Sequence, residues 1–203
     1  MRTLDLDKLV LLKGAHAEAS NQMCIMEAVA YMAGEPWSDS PQCASTVLSI
    51  FLRSYNDAVS DEIRKTLKPF IPRLIGTKAS RAVEERRSLA AADWLVRVYM
   101  PAWLRLADLT EQARSLESLP EITAMSQLPS IRPAIDSVRK DASAAWAAAS
   151  RAAGDAASRA ASRAAWVAAS HAAWEKLRPT VSTLQATVPA LIEKMLAITE
   201  VTL

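Results

Sequence analysis

Apolar residues recur three and four positions apart through most of this chain, which is the spacing of one face of an α-helix. Residues 80–100 show the pattern clearly, with Val83, Leu89 and Val98 set among charged positions. The chain has only four glycines and is rich in alanine, leucine and arginine, which favour helices. We therefore expect an all-α fold, in which a multi-helix orthogonal or bundle domain carries a long alanine-rich helix towards its C-terminal end.

Proline and glycine mark where the predicted helices begin and end. Gly34 closes a helix that we expect from about residue 17, and Pro41 opens the next one, with Asp39 or Ser40 as its cap. Pro101 should kink the helix that precedes it, or restart it. The other short helices are expected over residues 4–13, 60–68, 70–75, 102–106, 109–118 and 120–127.

Residues 134–178 contain no proline and a single glycine, Gly154. As one straight helix they would extend roughly 65 Å at a rise of about 1.5 Å per residue. A compact domain of this size is narrower, so the helix either projects or bends, and Pro179 should end it. These features divide the chain into a helical core module over residues 1–128 and a region over residues 129–203 that packs on the core or mediates oligomerisation.

Alanine pairs repeat every four residues from 144 to 173. Because a helix turns about 100° per residue, each repeat advances about 40°, and the alanines do not form the single stripe of a heptad coiled coil. The segment is then either a closely packed central or oligomeric helix, or a solvated low-complexity helix. Trp146, Trp166 and Trp174 favour packing, since large aromatic side chains seldom face water without a partner.

The charge of the chain changes sign along its length. Residues 1–63 hold four basic and nine acidic side chains, whereas residues 64–105 hold ten basic and three acidic ones. Either an acidic helical layer packs beside a basic one, or a cleft between them has an anion-binding wall. The sequence lacks the contiguous lysine-rich face of a general DNA-binding protein, so duplex DNA is not an expected partner.

The sequence predicts a cytoplasmic protein. Acidic residues interrupt the apolar N-terminus, which distinguishes it from a signal peptide. No stretch of 18 uncharged apolar residues occurs, so we expect no membrane span. Two cysteines without a secretory signal are expected to be reduced thiols.

Residues 14–57 carry both cysteines and one of the two histidines. His16, Cys24 and Cys43 are of the types that ligate zinc, although no Cys-x2-Cys spacing is present. A thiolate of either cysteine, with His16 as its base, could instead act as a nucleophile. A cysteine in a buried helix is also common as a small core residue. These alternatives stay open, no cofactor is expected, and no catalytic residue is identified.

Residues 93–105 interleave aromatic and arginine side chains, among them Trp94 and Arg97. Such a pattern can stack on a nucleotide and neutralise its phosphate. The alternative is an amphipathic helix in which Trp94 and Trp103 belong to the core. Asp93 and Arg97 lie four residues apart and are expected to form an ion pair on one helix face.

Three stretches within residues 9–110 carry a resemblance. They read GAHAEASNQMCIMEAVAYMAGEPWSDSPQCASTVLSIFLRSYND, LKPFIPRLIGT and EERRSLAAADWLVRVYMPAWL. Together they resemble an uncharacterised family of alanine-rich hypothetical proteins from actinobacteria and their phages. The resemblance implies no activity, but it implies that the N-terminal half is the common module and the alanine-rich region a variable appendage. It also gives weight to a polar set that a plain helical scaffold does not need: His16, Cys24, Glu27, Asp39, Cys43, Asn56 and Asp57.

These patterns support three hypotheses about function. In the first, the chain is a non-catalytic binding module for a small polar or anionic, nucleotide-like ligand or for a partner protein. Its ligand-binding candidates are His16, Glu27, Asp39, Asn56, Asp57, Arg73, Trp94 and Arg97. In the second, the chain is a structural helical protein that forms a homo-oligomer through its alanine-rich helix. In the third, it is an enzyme that depends on cysteine and histidine or on a metal.

Overall fold

The structure is a computed structural model that describes residues 2–17, 22–159 and 163–200, and for residues 148–159 and 163–174 it describes the backbone alone. Helices dominate the described residues, which confirms the expected all-α class. The helices are α1 (Ile25–Ala33), α2 (Thr46–Ala58), α3 (Asp61–Lys65), α4 (Ile71–Leu74), α5 (Arg81–Trp94), α6 (Met100–Leu106), α7 (Thr110–Glu117), α8 (Leu128–Arg159) and α9 (Arg163–Ala197). A π-helical turn covers Leu95–Tyr99, and short 3-10 turns cover Lys68–Phe70 and Met125–Gln127.

The chain divides into two compact units. The first comprises Met1–Ser88 and Ile192–Leu203, and the second comprises Leu89–Leu191. The expected boundary near residue 128, between a helical core module and the alanine-rich region, stays a prediction.

The core of the first unit is built from the apolar faces of short helices. In α2, Leu48 and Leu52 lie four residues apart and are fully buried, whereas Ile50 between them is 55% exposed. Burial of each such side chain contributes roughly 1.5–3 kcal/mol. The other fully buried large apolar residues of this unit are Ile25, Met26, Leu67, Ile71, Leu74, Ile192 and Met195.

The N-terminal segment contains a strand, and the helix expected over residues 4–13 is wrong. β1 (Val10–Leu11) pairs in parallel with β2 (Gln22–Met23). The leucines on either side of Val10 are buried, while Val10 is exposed, which is the period of a strand. In so short a segment the apolar spacing fits either period, and the pairing with β2 decides between them.

Helix α1 begins at Ile25, and not near residue 17 as expected. Cys24 is its N-cap, and the Sγ atom accepts a hydrogen bond from the backbone N–H of Glu27 at 3.4 Å. Gly34 ends the helix in the left-handed region, at a φ of 80°, which confirms the stop that the sequence predicts there. β2 therefore occupies part of the range expected to be helical, and residues 18–21 of that range lie outside the described residues.

Helix α2 begins at Thr46 rather than at Pro41. Ser45 is its N-cap, and the Oγ atom accepts a hydrogen bond from a backbone N–H of the first turn at 3.2 Å. The expected caps, Asp39 and Ser40, lie in the loop before it. Several residues near a helix start can cap equally well by type, so the choice between them rests on tertiary contacts.

The second unit contains a core formed by α6, α7 and α8. Its fully or nearly fully buried members are Ala113, Leu116, Ile122, Ile131 and Val138. The chain stays helical across Pro101, through the π turn and into α6. In a regular α-helix the ring of Pro101 would clash with the carbonyl of Arg97, four residues before it. The π turn spans that carbonyl and takes up the distortion.

Prolines lie inside both long helices. Pro133 lies within α8, and both Pro179 and Pro189 lie within α9, so the helix end expected at Pro179 is wrong. An interior proline costs about 3 kcal/mol, but the apolar stripe of α9 continues past it at helical spacing. That stripe consists of Leu184, Val188, Leu191, Ile192 and Met195, all buried. Gly154 lies within α8 and does not interrupt it.

Trp146 does not pack as the alanine repeat led us to expect. Its side chain is 73% exposed on α8. Trp166 and Trp174, on which the same expectation rested, lie outside the residues whose side chains are described. Across the described ranges, no helix combines the length and apolar character needed to cross a membrane.

Candidate functional site

Glu27 is the centre of a buried polar cluster in the first unit. Its carboxylate is almost inaccessible, with 1% of the residue exposed. Oε1 accepts the backbone N–H of His16 at 2.7 Å, and Oε2 accepts the backbone N–H of Cys24 at the same distance. Oε2 also lies 2.9 Å from Nδ1 of the His16 ring. The carboxylate thus completes a capping box at α1 and holds the histidine backbone and ring at once.

Asn56 and Asp57, at the end of α2, hold the same N-terminal segment. The side-chain amide of Asn56 donates to the carbonyl of Leu12 at 2.8 Å, and a carboxylate oxygen of Asp57 accepts the N–H of Gly14 at 2.8 Å. Gly14 has a φ of 83°, in the left-handed region that favours glycine. Burial acts to raise the pKa of Asp57, but the hydrogen bonds from Gly14 and Asn56 outweigh it, and the pKa is lowered.

The structure therefore brings four of the predicted ligand-binding residues together, namely His16, Glu27, Asn56 and Asp57. Trp37 completes the arrangement, since its indole N–H donates to the carbonyl of His16 at 2.7 Å. The polar atoms of these residues are directed at the backbone of the N-terminal segment. Their contacts explain why a helical scaffold carries them without requiring a ligand.

The two cysteines are free thiols in different surroundings. Burial, and then the Glu27 carboxylate, raise the pKa of the Cys24 thiol to about 12. Burial and the hydrogen bond with Glu35 also raise the pKa of Cys43. Because the thiolate is the reactive form, neither environment favours a nucleophile. Within the described part of the chain, no three His, Cys, Asp or Glu side chains are placed to share a metal ion.

Asp39 and Arg73 do not join the cluster around Glu27. Asp39 pairs with Arg53 at 3.3 Å on the surface, beside a small depression of about 180 Å³. Arg73 forms a two-pronged, half-exposed ion pair with Glu193. The hydrogen bond from Arg73 lowers the pKa of Glu193, so the pair is ionised at neutral pH. The charges of Asp39, Arg53 and Arg73 are thus matched by protein partners.

A larger groove, of about 660 Å³, lies within the second unit. Glu117 of α7 stands at its edge. The π turn and α6 supply one wall, with Arg97, Val98, Ala102, Arg105 and Leu106. Helix α9 supplies the other, with Pro179, Thr180, Thr183, Leu184 and Thr187. Of the predicted residues, Arg97 lines this groove directly.

The guanidinium of Arg97 is only partly matched. Its Nη1 donates to Asp93 at 3.0 Å, and that is the one hydrogen bond it makes to the described residues. Its Nε is buried without an acceptor. Asp93 is held in turn by the backbone N–H of Ile122 at 2.9 Å. The predicted Asp93–Arg97 pair is therefore present, and it fixes one side of the guanidinium, while Nε has no acceptor among the described residues.

The fully buried arginines of the first unit behave differently. Arg64 uses Nε, Nη1 and Nη2 to reach the carbonyl of Asn56, the Asp61 carboxylate and the carbonyl of Val59. Arg87 likewise donates from all three nitrogens, to backbone carbonyls and to Glu84. Both buried arginines of the first unit thus have their whole forks occupied. Arg97 departs from that pattern at a groove wall.

Trp94 supports the groove without lining it. Its indole N–H donates to the hydroxyl of Thr187 on α9 at 2.8 Å, and its ring lies 5.4 Å from that of Tyr99. Arg105 forms a two-pronged ion pair with Glu117. The hydrogen bond from Arg105 lowers the pKa of Glu117, so both charges of this pair are present at neutral pH and satisfy each other.

The threonines of α9 and Glu117 were not among the predicted residues. Thr180, Thr183 and Thr187 lie three and four residues apart, which places them on one helix face. That signal was available in the sequence, since all three threonines follow Pro179 and share a face of any helix that runs on from there. Glu117 gives no local signal, since its role comes from Arg105, twelve residues away.

We expect Glu27→Gln to lower the free energy of unfolding of the protein by roughly 2–4 kcal/mol. The amide would place its NH2 group against the backbone N–H of either His16 or Cys24, and both of these groups need an acceptor. Chemical denaturation followed by circular dichroism measures the change. Glu85→Gln is the matched control, because Glu85 is exposed, and it should change stability by less than about 0.5 kcal/mol. Equal effects of the two variants would contradict the role of Glu27.

Alkylation of Cys24 should be very slow in the folded protein. In a Cys43→Ser background, a pKa of about 12 against the ordinary thiol pKa of 9.0 implies about a thousandfold lower thiolate fraction at pH 8 than in the unfolded chain. The rate of iodoacetamide labelling, followed by mass spectrometry with and without denaturant, tests this. Labelling of native Cys24 at a rate near that of the unfolded chain would refute it.

Comparison with known proteins does not assign the chain to a family. No protein-family model, curated protein or solved structure matches the chain significantly. The resemblance over residues 9–110 therefore stays a prediction, and the function is argued from the geometry.

Proposed function

We propose that this protein is a non-catalytic helical binding module, and that a small anionic ligand binds in the groove of the second unit at Arg97. The observation that carries the proposal is the half-occupied fork of Arg97. One side of the guanidinium is held by Asp93, and Nε is buried without an acceptor. A buried donor without an acceptor costs about 1–3 kcal/mol. An anion that reorganises this fork and accepts from it would recover that free energy.

The chemistry of arginine fits such a ligand. The guanidinium is always charged, and its planar fork matches the two oxygens of a carboxylate or phosphate. The side chain of Arg97 is 28% exposed and lines the groove, while its Nε atom is buried. Hydrogen bonds to an ionised group gain strength where water is partly excluded. The position at the middle of a π turn adds support, since such turns are frequent at functional sites.

The sites of the first unit support this proposal less well. The carboxylate of Glu27 is buried and bonded to backbone N–H groups, and Arg73 is neutralised by Glu193. The raised pKa values of Cys24 and Cys43 speak against the alternative of a thiol-dependent enzyme. Both thiols are free, which is typical of a reducing compartment. We therefore include a cytoplasmic location in the proposal.

A second candidate function, homo-oligomerisation through the alanine-rich helix, rests on Trp146. This side chain is 73% exposed on α8. A second copy of the chain would cover it, and alanines let two helices approach closely. We retain this candidate as an independent role, since it makes no use of the groove.

We expect Arg97→Gln to weaken anion binding by about tenfold to a hundredfold, the effect of losing a charge-assisted hydrogen bond. Isothermal titration calorimetry with adenosine monophosphate, inorganic phosphate and butyrate measures it. Arg114→Gln is the matched control, because Arg114 belongs to the same unit, and its exposed ion pair with Glu111 lies on α7. Equal weakening by both variants, or no binding of any anion to the unaltered chain, would contradict the proposal.

Sedimentation velocity over a range of concentrations tests the second candidate. The full chain should shift to a larger species as its concentration rises, and Trp146→Ser should abolish the shift. Met125→Ser removes another exposed apolar side chain, 54% exposed and outside the alanine repeat, and should leave the shift unchanged. Monomeric behaviour of the unaltered chain at all concentrations would exclude this role.

A further inference from the structure

The wall of the groove that carries Arg97 also carries an apolar strip. Val98, Ala102 and Leu106 follow one another at intervals of four residues, so they lie along one face of the helix. Eight residues at the rise of a helix correspond to about 12 Å. Leu184 and Pro179 face the strip from α9. Val98 is 37% exposed at the end next to Arg97, so apolar surface is left uncovered there.

Aromatic rings do not line the groove among the described residues. The aromatic side chains nearest in sequence pack on one another and on α9 instead. Trp94 donates to Thr187 and packs on Tyr99, and Trp103 packs edge-on against the same ring. Proteins hold nucleobases largely by stacking them on aromatic rings. A nucleotide could therefore place its phosphate on Arg97, but no aromatic ring among the described lining residues would stack on its base.

The polar groups along the strip also limit the ligand. The hydroxyls of Thr183 and Thr187 donate to backbone carbonyls of their own helix. Arg105 and Glu117 neutralise each other. A peptide backbone would leave most of its N–H and C=O groups without partners here. A second anionic group at the far end would find no unpaired cation among the described residues that line the groove, and it would meet the Glu117 carboxylate.

From this arrangement we infer that the groove takes an aliphatic monocarboxylate, with its carboxylate on Arg97 and its hydrocarbon chain along Val98, Ala102 and Leu106. The inference rests on the proposed function and specifies its ligand. A single carboxylate matches the one guanidinium among the described lining residues that has a buried donor left unpaired, and a chain without hydrogen-bonding groups matches the strip. Burying each methylene against that strip tightens binding, by up to about fourfold per methylene for complete burial.

Titration calorimetry of the full chain with butyrate, hexanoate, octanoate and decanoate, below their micelle concentrations, tests the inference. Kd should fall by roughly twofold to fourfold for each added methylene, at a stoichiometry of one. Octanol, which lacks the charge, should bind at least about tenfold more weakly than octanoate. Arg97→Gln should reduce decanoate affinity by at least about tenfold, and Arg114→Gln should not.

Two variants of the strip separate the tail from the head group. Ala102→Trp should fill the groove and remove the dependence of Kd on chain length, while butyrate still binds in an Arg97-dependent manner. If that variant fails to fold, as judged by circular dichroism, Leu106→Ala serves in its place. It should weaken decanoate more than butyrate, since only the longer tail reaches Leu106 at the far end of the strip.

The outcomes distinguish failure of the inference from failure of the proposed function. Arg97-dependent binding with no dependence on chain length overturns the inference and leaves the function standing. Tighter binding of adenosine monophosphate, or of the short peptide acetyl-trileucine, than of decanoate also overturns the inference and leaves the function standing. If no anion binds in a way that Arg97→Gln weakens, both fail.

Discussion

A charge taken out of water must be matched by partners, and this constraint decides what each buried ionic side chain does in the protein. Glu27 is nearly inaccessible, and both of its oxygens accept backbone hydrogen bonds from the N-terminal segment and the start of α1. Arg64 and Arg87 occupy their entire forks with protein acceptors. Arg97 meets the constraint only on the side of Asp93, and the proposed ligand would supply the missing acceptor.

The same constraint changes the interpretation of the unusual polar residues in the first unit. His16, Asn56 and Asp57 resemble catalytic types, yet each is bonded to a neighbour in the cluster or to the N-terminal backbone. The segment they hold has little secondary structure of its own, so side chains supply hydrogen bonds that a helix would provide internally. A thiol inside such a cluster is kept protonated, which separates Cys24 from nucleophilic chemistry.

The fold class and most helices were predictable because their signals are local. Apolar spacing identified α5, and Gly34 marked the end of α1. The errors arose where local signals do not decide: pairing with β2 makes β1 a strand, and α9 continues as a helix through Pro179. Of the site, the Asp93–Arg97 pair follows from spacing alone, whereas the groove needs α9, which lies some eighty residues further along the chain. The periodicity of the sequence does not show that α9 lies beside α6.

The most direct test of the central claim is an NMR titration that follows the Nε–H signals of the arginine side chains as octanoate is added to the full chain. The Arg97 signal should shift and saturate with a single binding isotherm, because its fork gains an acceptor. The signals of Arg64 and Arg87 should stay in place, since their forks are already occupied. An Arg97 signal that does not move while the protein binds octanoate would contradict the account.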